Sequence, residues 1–269
     1  MSRREIYGFG EKFTVTGEKL MVAGPPIASP NRGATREANT FPSRKVTKGN
    51  DLISTACYSL SLDELRLILI AISKLDPRAL ASGQARAARD QAGLHVTAEE
   101  FSTQFGVDRK NAYGQLKRAA ARLWGRTITQ IGQGEGVRVD LRWLYMKAEY
   151  SDAGVTLFFS PPLLDHYLVD LKKNFTSYRL GVAAKLRSVY AVRIFELCAR
   201  FKSTGVVKTT AGILSDLLCV SYTKKSDLAR WVLDPATSSI RLAVGLEVSW
   251  RWVGEDGLEF RFEPNPSAF

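Results

Sequence analysis

The chain has 269 residues, 45% hydrophobic and 10% aromatic, enough apolar material for one large core or two ordinary ones, which excludes a disordered polypeptide. Lys and Arg outnumber Asp and Glu by 38 to 27, a formal charge of +11, which favours polyanionic partners, nucleic acid first and an anionic membrane surface second. The longest apolar run, Leu67 to Ile72, is far short of the roughly 20 residues of a membrane span, and the start MSRREIYGFG lacks a signal-peptide core, so no membrane is expected and the cytoplasm is the expected location.

Residues 1–49 scatter Gly8, Gly10, Gly17, Gly24, Pro25, Pro26, Pro30, Gly33, Pro42 and Gly49 with no sustained period of 2 or 3.6, which predicts a flexible arm. Nine basic against four acidic residues give this arm +5, which serves either extra phosphate contacts or solubility. Order is expected from Asn50. Ser61 with Glu64 makes a capping box, opening a helix that carries Leu62, Leu65, Ile68, Leu69, Ile72 and Leu75 on one face until Asp76 and Pro77 stop it. The stretch Arg78 to Gly93 reads as an exposed loop. Thr97 with Glu100 makes a second capping box for a short helix with Phe101 and Phe105 inward, ended by Gly106.

Asp108 caps a third helix in which Ala112, Leu116, Ala119 and Leu123 form the inward stripe, so that Arg109, Lys110, Asn111, Gly114, Lys117 and Arg118 face outward. Period-2 segments follow: Ile128; then Val137, Val139, Leu141, Trp143 and Tyr145 as one strand; then Val155, Leu157 and Phe159, with turns at Gly132 to Gly136 and Asp152 to Gly154. Helix, helix-turn-helix and β-hairpin is the order of a winged helix.

The second half repeats this plan. A helix from about Lys185 to Lys202 buries Leu186, Val189, Tyr190, Ile194, Leu197 and Phe201; a shorter one from Thr210 carries Ile213, Leu214, Leu217 and Leu218; a third begins near Thr223. Leu246, Val248, Trp250 and Trp252 alternate in a strand against Leu258, Phe260 and Phe262, across a turn from Gly254 to Gly257. A shift of 113 residues lays Thr97 on Thr210, Phe101 on Leu214 and Phe105-Gly106-Val107 on Leu218-Cys219-Val220, with Leu116 near Leu228, which predicts a duplicated domain. The fold expected is therefore α+β: a basic arm over 1–49, a first winged helix over 50–177 and a second over 178–269.

A helix with a basic, amide-bearing outer face one turn after a short helix suits the DNA major groove. The expected DNA-binding residues are Arg109, Lys110, Asn111, Lys117 and Arg118 in the first half and Thr223, Lys224, Lys225, Ser226 and Arg230 in the second. The alternative for either helix alone is a solvated amphipathic face; two in register within a +11 chain favour DNA. Trp143, Trp250 and Trp252 read as core residues and Trp124 as the end of a packed helix, while Trp231 is left open between core and base contact. Cys57, Cys198 and Cys219, odd in number and in apolar surroundings, read as reduced core thiols. His95 and His166 lack histidine neighbours, which disfavours the metal site of a strand-nicking enzyme, and the G-x-x-x-x-G-K-[ST], G-x-S-x-G, H-E-x-x-H and C-x-x-C patterns do not occur. No catalytic, metal or cofactor site is expected.

The stretch NDLISTACYSLSLDELRLILIAISKLD, followed by VTAEEFSTQFGVDRKNAYGQLKRAAARLWGRTI, resembles the first domain of the iteron-binding plasmid replication initiators. FSPPLLDHYLVDLKKNFTSYRLGVAAKLRSVYAVRIFELCARFKSTG resembles that family's domain junction and the long first helix of its second domain, and WVLDPATSSI is similar to its motif late in the second recognition helix. The resemblance covers residues 50 to 263 and implies tandem winged helices, a monomer bound to direct repeats (iterons) at a plasmid origin, and a homodimer that represses its own gene at an operator. It also implies two host partners, the chromosomal initiator and the replicative helicase, and no enzymatic activity. The sequence departs from the family where Ala229, Arg230 and Trp231 follow Leu228 and where Asp234, Ser238 and Ser239 stand in place of basic residues. The alternative function is a winged-helix transcriptional repressor: direct repeats beside an A·T-rich stretch near the gene favour an initiator, a lone inverted repeat the repressor.

Overall fold

The computed structural model describes residues 6–8, 11–13, 44–75, 93–131, 138–151, 154–169, 171, 174–222, 224–263 and 268–269. Residues 1–38 and 39–269 form separate units. In the first, β1 (Ile6–Gly8) and β2 (Glu11–Phe13) pair as a short antiparallel hairpin inside the stretch expected to be a flexible arm. The rest of that stretch up to residue 43, the turn at Asp76 and Pro77, nearly all of the expected loop to Gly93, and the turn at Gly132 to Gly136 lie outside the described residues.

In the second unit, order begins before Asn50. Strand β3 (Lys45–Gly49) has Val46 and Lys48 fully buried and pairs antiparallel with β10 (Phe175–Arg179). The arm assigned to 1–49 therefore gives up its last five residues to the fold, and the boundary expected between 177 and 178 falls inside β10. After β3 come α1 (Asn50–Ser54) and β4 (Ala56–Cys57), then the first winged helix: α2 (Leu62–Ser73), β5 (Leu94–Thr97), α3 (Ala98–Phe105), α4 (Arg109–Leu123), β6 (Thr127–Ile131), β7 (Arg138–Arg142), β8 (Leu144–Ser151) and β9 (Gly154–Phe159). The chain passes through α5 (Pro161–Leu163, continued by the π turn Leu164–Leu168), β10 and α6 (Leu180–Ala183) into the second: α7 (Val189–Arg200), β11 (Val206–Thr210), α8 (Ala211–Leu218), α9, β12 (Val248–Val253) and β13 (Gly257–Phe262). Helix α9 joins Lys225–Leu228, a π turn Ala229–Leu233 and Asp234–Val244.

Both capping boxes form, and each glutamate does a second task. Ser61 Oγ accepts the Glu64 N–H while Glu64 accepts the Ser61 N–H; the same buried carboxylate takes Arg122 at 3.0 Å and Arg126 at 3.1 Å, so the start of α2 is tied to the end of α4. Glu100 repeats the device with Thr97, holding Lys74 at 2.6 Å and Arg44 at 3.2 Å. Phe101, Phe105, Leu116, Ala119 and Leu123 pack with Leu65, Ile68 and Ile72 in the core beneath.

The duplication is visible in the backbone. In each half the strand before the short helix pairs with the last strand, which pairs in turn with its predecessor: β5-β9-β8 and β11-β13-β12. Thr97 lies opposite Gly154, and Thr210 opposite Gly257. A Cβ at Gly154 would stand 2.2 Å from the Val96 carbonyl oxygen, so only glycine permits this pairing. The helix-turn matches too: the Val107 N–H bonds the Ser102 carbonyl at 3.2 Å and, 113 residues on, the Val220 N–H bonds that of Ser215 at 2.9 Å.

Three expectations are corrected. The segment read as one strand through Val139, Trp143 and Tyr145 breaks at Trp143, because the Trp143 N–H bonds Arg126 while its carbonyl receives Ser160; β7 and β8 then belong to different sheets, with Val139 and Tyr145 exposed. The first helix of the second half starts at Val189, not Lys185, with the short α6 before it. And Cys57 and Cys219 are not free thiols: they form a disulfide from β4 to the end of α8, across a separation of 162 residues. Cys198 alone is a free thiol, and burial pushes it up to about 12.

The disulfide is one of several ties between the halves. Lys48 Nζ donates to Glu196 Oε1 on α7 at 2.7 Å, both side chains fully buried; Arg193 lies 3.6 Å from the other carboxylate oxygen. The Arg193 guanidinium covers the Tyr58 ring at 4.0 Å and donates to the Tyr58 hydroxyl and, at 3.0 Å, to the Ala56 carbonyl. The Tyr178 hydroxyl donates to Glu196, and burial followed by that carboxylate's charge pushes its pKa well above the ordinary value, so it remains a donor.

Candidate nucleic-acid interface

In each half the helix after the turn carries its cations outward. On α4 the Asp108 carboxylate accepts the Lys110 N–H at 2.8 Å, fixing the first turn, and Ala112, Leu116, Ala119 and Leu123 are fully buried. Arg109, Lys110, Asn111, Lys117 and Arg118 are consequently all exposed, as expected. Arg109 keeps a loose pair with Glu99 at 3.6 Å, of little energetic weight at 78% exposure. The Lys117 ammonium stands 5.6 Å from the Tyr150 ring centre, placing an exposed tyrosine of β8 beside the helix. A Cβ at position 114 would come 3.3 Å from the Arg118 guanidinium, so Gly114 leaves room for that side chain to lie along the outer surface.

On α9, Leu228 and Val232 are buried as expected, and Lys224, Ser226 and Arg230 are exposed. Lys225 is half-buried, its ammonium 5.2 Å from the centre of the Trp252 ring on β12. Thr223 lies outside the described residues. The Trp250 indole N–H donates to Asp234 at 3.0 Å, so helix and hairpin are held together from both sides. Asp234 is thus a structural acceptor. Trp143 is fully buried and Trp124, Trp250 and Trp252 pack against the core, whereas Trp231 is 56% exposed.

The hairpin of the second half forms where expected, but its arginines were not among the expected DNA-binding residues. Glu259, buried on β13, accepts from Arg261 at 2.6 Å and Arg251 at 2.9 Å, and those hydrogen bonds, Arg261 first, hold its carboxyl below the usual range. The two guanidiniums stay exposed at 58% and 61%, on the face of the hairpin opposite Trp250 and Trp252. The signal was available: in SWRWV and EFRF an arginine stands between aromatic residues, and strand alternation puts it on the outer face.

His95 Nδ1 lies 3.0 Å from Thr156 Oγ1, and His166 stacks edge-on with Tyr167. Among the described residues no group of three His, Cys, Asp or Glu converges on one point, and no helix is long and apolar enough to cross a membrane.

Comparison with known proteins agrees with this architecture. An uncharacterized 27.6 kDa protein of Escherichia coli is 28% identical over 203 residues, covering 73% of this chain and 84% of that one. A replication initiation protein of Escherichia coli is 27% identical over 203 residues, 72% of this chain; the chain spans 61% of that relative's length. Among solved structures, the Pi initiator protein in complex with iteron DNA superposes with a TM-score of 0.69 at 17% identity, over 84% of this chain and 99% of that one, which shows a shared fold. The family model described as "Initiator Replication protein, WH1" matches residues 45–199, more than half of the chain, and starts at β3 where order starts: the chain belongs to the initiator replication protein family.

Proposed function

We propose that this protein is a plasmid replication initiator that binds repeated double-stranded DNA sites at an origin through α4 and α9, and that it nucleates duplex opening without chemistry of its own. The observation that carries the reading is the paired exposure of cations on the second helix of both helix-turn-helix units, with two further exposed arginines, Arg251 and Arg261, on the wing of the second. Such helices fit the major groove, and their lysines and arginines replace counterions on phosphates. The Pi initiator, which shares the fold, was solved on iteron DNA. In the same reading Arg109, Lys110, Asn111, Lys117 and Arg118 engage one half of each site and Thr223, Lys224, Lys225, Ser226 and Arg230 the other. The protein works in the cytoplasm, where a homodimer in exchange with the monomer occupies an operator and the DNA-bound monomer recruits the host initiator and the replicative helicase.

Nuclease footprinting on the DNA flanking the gene tests this. Protection of direct repeats beside an A·T-rich stretch is the expected result. Protection confined to one inverted repeat would make the protein a transcriptional repressor, and an unprotected flank would overturn the reading.

A further inference from the structure

We infer that Trp231 is a specificity-determining residue that reads thymine methyl groups in the major groove, next to the base contacted by Arg230. The inference rests on the proposal above that α9 is a DNA-reading helix.

Its starting point is the π turn. The Asp234 N–H bonds the Ala229 carbonyl, five residues back, so one extra residue is accommodated between the two α-helical parts of α9. The inward stripe registers the insertion: Leu228 and Val232 are buried, then Leu233, Ala236, Thr237 and Ile240, a set displaced by one residue relative to the first. A helix that takes in an extra residue turns its outer surface with it, and here Arg230 and Trp231 come outward together.

Trp231 is the largest of the exposed hydrophobic side chains among the described residues. An indole left in water forgoes the full or partial burial that the other four tryptophans have, and among the described residues Trp231 is not part of the core cluster. The Arg230 guanidinium lies 4.9 Å from its ring centre, which holds the ring against the arginine while 56% of the residue stays exposed. The surroundings favour a polyanion as occupant: Lys224, Lys225 and Arg230 lie within seven residues that hold one acid, Asp227, and the next acid, Asp234, is engaged by Trp250. Within the major groove the apolar feature is the C5-methyl of thymine, while an arginine fork fits the O6 and N7 acceptors of guanine. A stacked arginine and indole, offered side by side from one helix face, suit a thymine beside a guanine.

The test uses the full chain and a duplex that it enriches from a random-sequence pool. Each thymine is replaced in turn by uracil, which removes the methyl and keeps every hydrogen-bonding group. The wild-type protein is expected to lose about three- to fivefold in affinity at one or two positions, the contribution of one buried methyl. Trp231→Ala, whose melting temperature should match wild type because the indole is exposed, is expected to bind the parent duplex more weakly and to respond no further to uracil at those positions. Trp231→Ala that keeps the uracil response, or that binds the parent duplex as wild type does, overturns the inference and assigns the indole to a protein contact instead. In that event Arg230→Ala and Lys224→Ala would still weaken binding if α9 reads DNA. A wild-type chain that enriches no sequence would sink the reading of α9 itself.

Discussion

The buried joint between the two halves allows a sharp energetic prediction, because its charges do not balance. Lys48 and Glu196 are fully buried and Arg193 is 2% exposed, two cations around one carboxylate. Glu196→Gln removes the only anion of the three and leaves both cations out of water, which should cost about 3–5 kcal/mol, the penalty of breaking a buried pair from one side. Lys48→Met is different. It keeps the volume of the stem and leaves Glu196 paired with Arg193 and hydrogen-bonded by Tyr178, a neutral arrangement. The lost attraction, on the order of 4 kcal/mol at an effective dielectric constant of about 20, is offset by the several kcal/mol no longer needed to desolvate the ammonium, so the net cost should stay below about 1 kcal/mol. With Lys48→Met already in place, Glu196→Gln strands one cation instead of two, and the double variant should be about 1–3 kcal/mol more stable than the sum of the single effects requires. Urea unfolding of the full chain followed by circular dichroism reads these differences, and they should persist in high salt because the pair is out of reach of screening ions. Equal and additive costs for the two single variants would refute the charge argument and reduce the cluster to ordinary packing.

Three further outcomes follow from the same structure. Burial raises the Glu100 carboxyl, but hydrogen bonds from Lys74, the Thr97 N–H and Arg44 outweigh it and hold the group below the ordinary carboxylate value; its contribution is therefore complete above that value and lost as pH falls through the lower folded one, so Glu100→Gln should cost about 2 kcal/mol at neutral pH and flatten the acid limb of stability against pH. Opening the Cys57–Cys219 bridge, which spans 162 residues, should lower stability by about 2–5 kcal/mol in the chain-entropy account; Cys219→Ala should match reduced wild type, and three titratable thiols in the unfolded but unreduced chain would contradict the bridge. Arg230→Ala should cost about 1–3 kcal/mol on the cognate duplex and little on random DNA, whereas Lys224→Ala should weaken both alike and lower the salt slope by about one unit; uniform losses from Arg230→Ala would make it a phosphate contact.

What the sequence disclosed is what local chemistry determines. Both capping boxes, the inward stripes of α2, α3 and α4, and the duplicated helix-turn are written within a few residues, and the matching Val107 and Val220 hydrogen bonds come from that local grammar. Features that depend on distant partners were opaque. KVTKG carries two lysines in five residues and reads as solvated arm, yet Lys48 is fully buried because its partner, Glu196, arrives 148 residues later. The alternation around Trp143 is continuous in sequence, but the strands on either side of it pair with different neighbours. Position 219 misled for a related reason. Gly106 occupies the left-handed turn of the first half at φ +62°, and the second half puts a cysteine into the same conformation at φ 51°, where a side chain is disfavoured. Only the bond to Cys57 explains a cysteine there, and nothing local announces it.

The positive charge of the chain divides by the same criterion, and the division says more than the total. Lys48, Arg193, Arg122, Arg126 and Lys74 all pair with carboxylates that are buried or nearly so, and their charge holds one element to another. Among the described residues the cations of the outer faces of α4 and α9 pair with nothing comparable: Arg109 has one exposed partner, and Lys117, Lys225 and Arg230 lie against aromatic rings, which orient a cation without neutralising it. A net charge of +11 therefore overstates nothing about the interface and explains little of it, since an excess of this size could be spread evenly over a surface. What makes the two helices suited to a duplex is that the inward cations are consumed in fixing the frame. Part of the charge left over stands on the one helix of each half that the turn pushes outward, and the joint of Lys48, Arg193 and Glu196 links the two frames through which those helices are held.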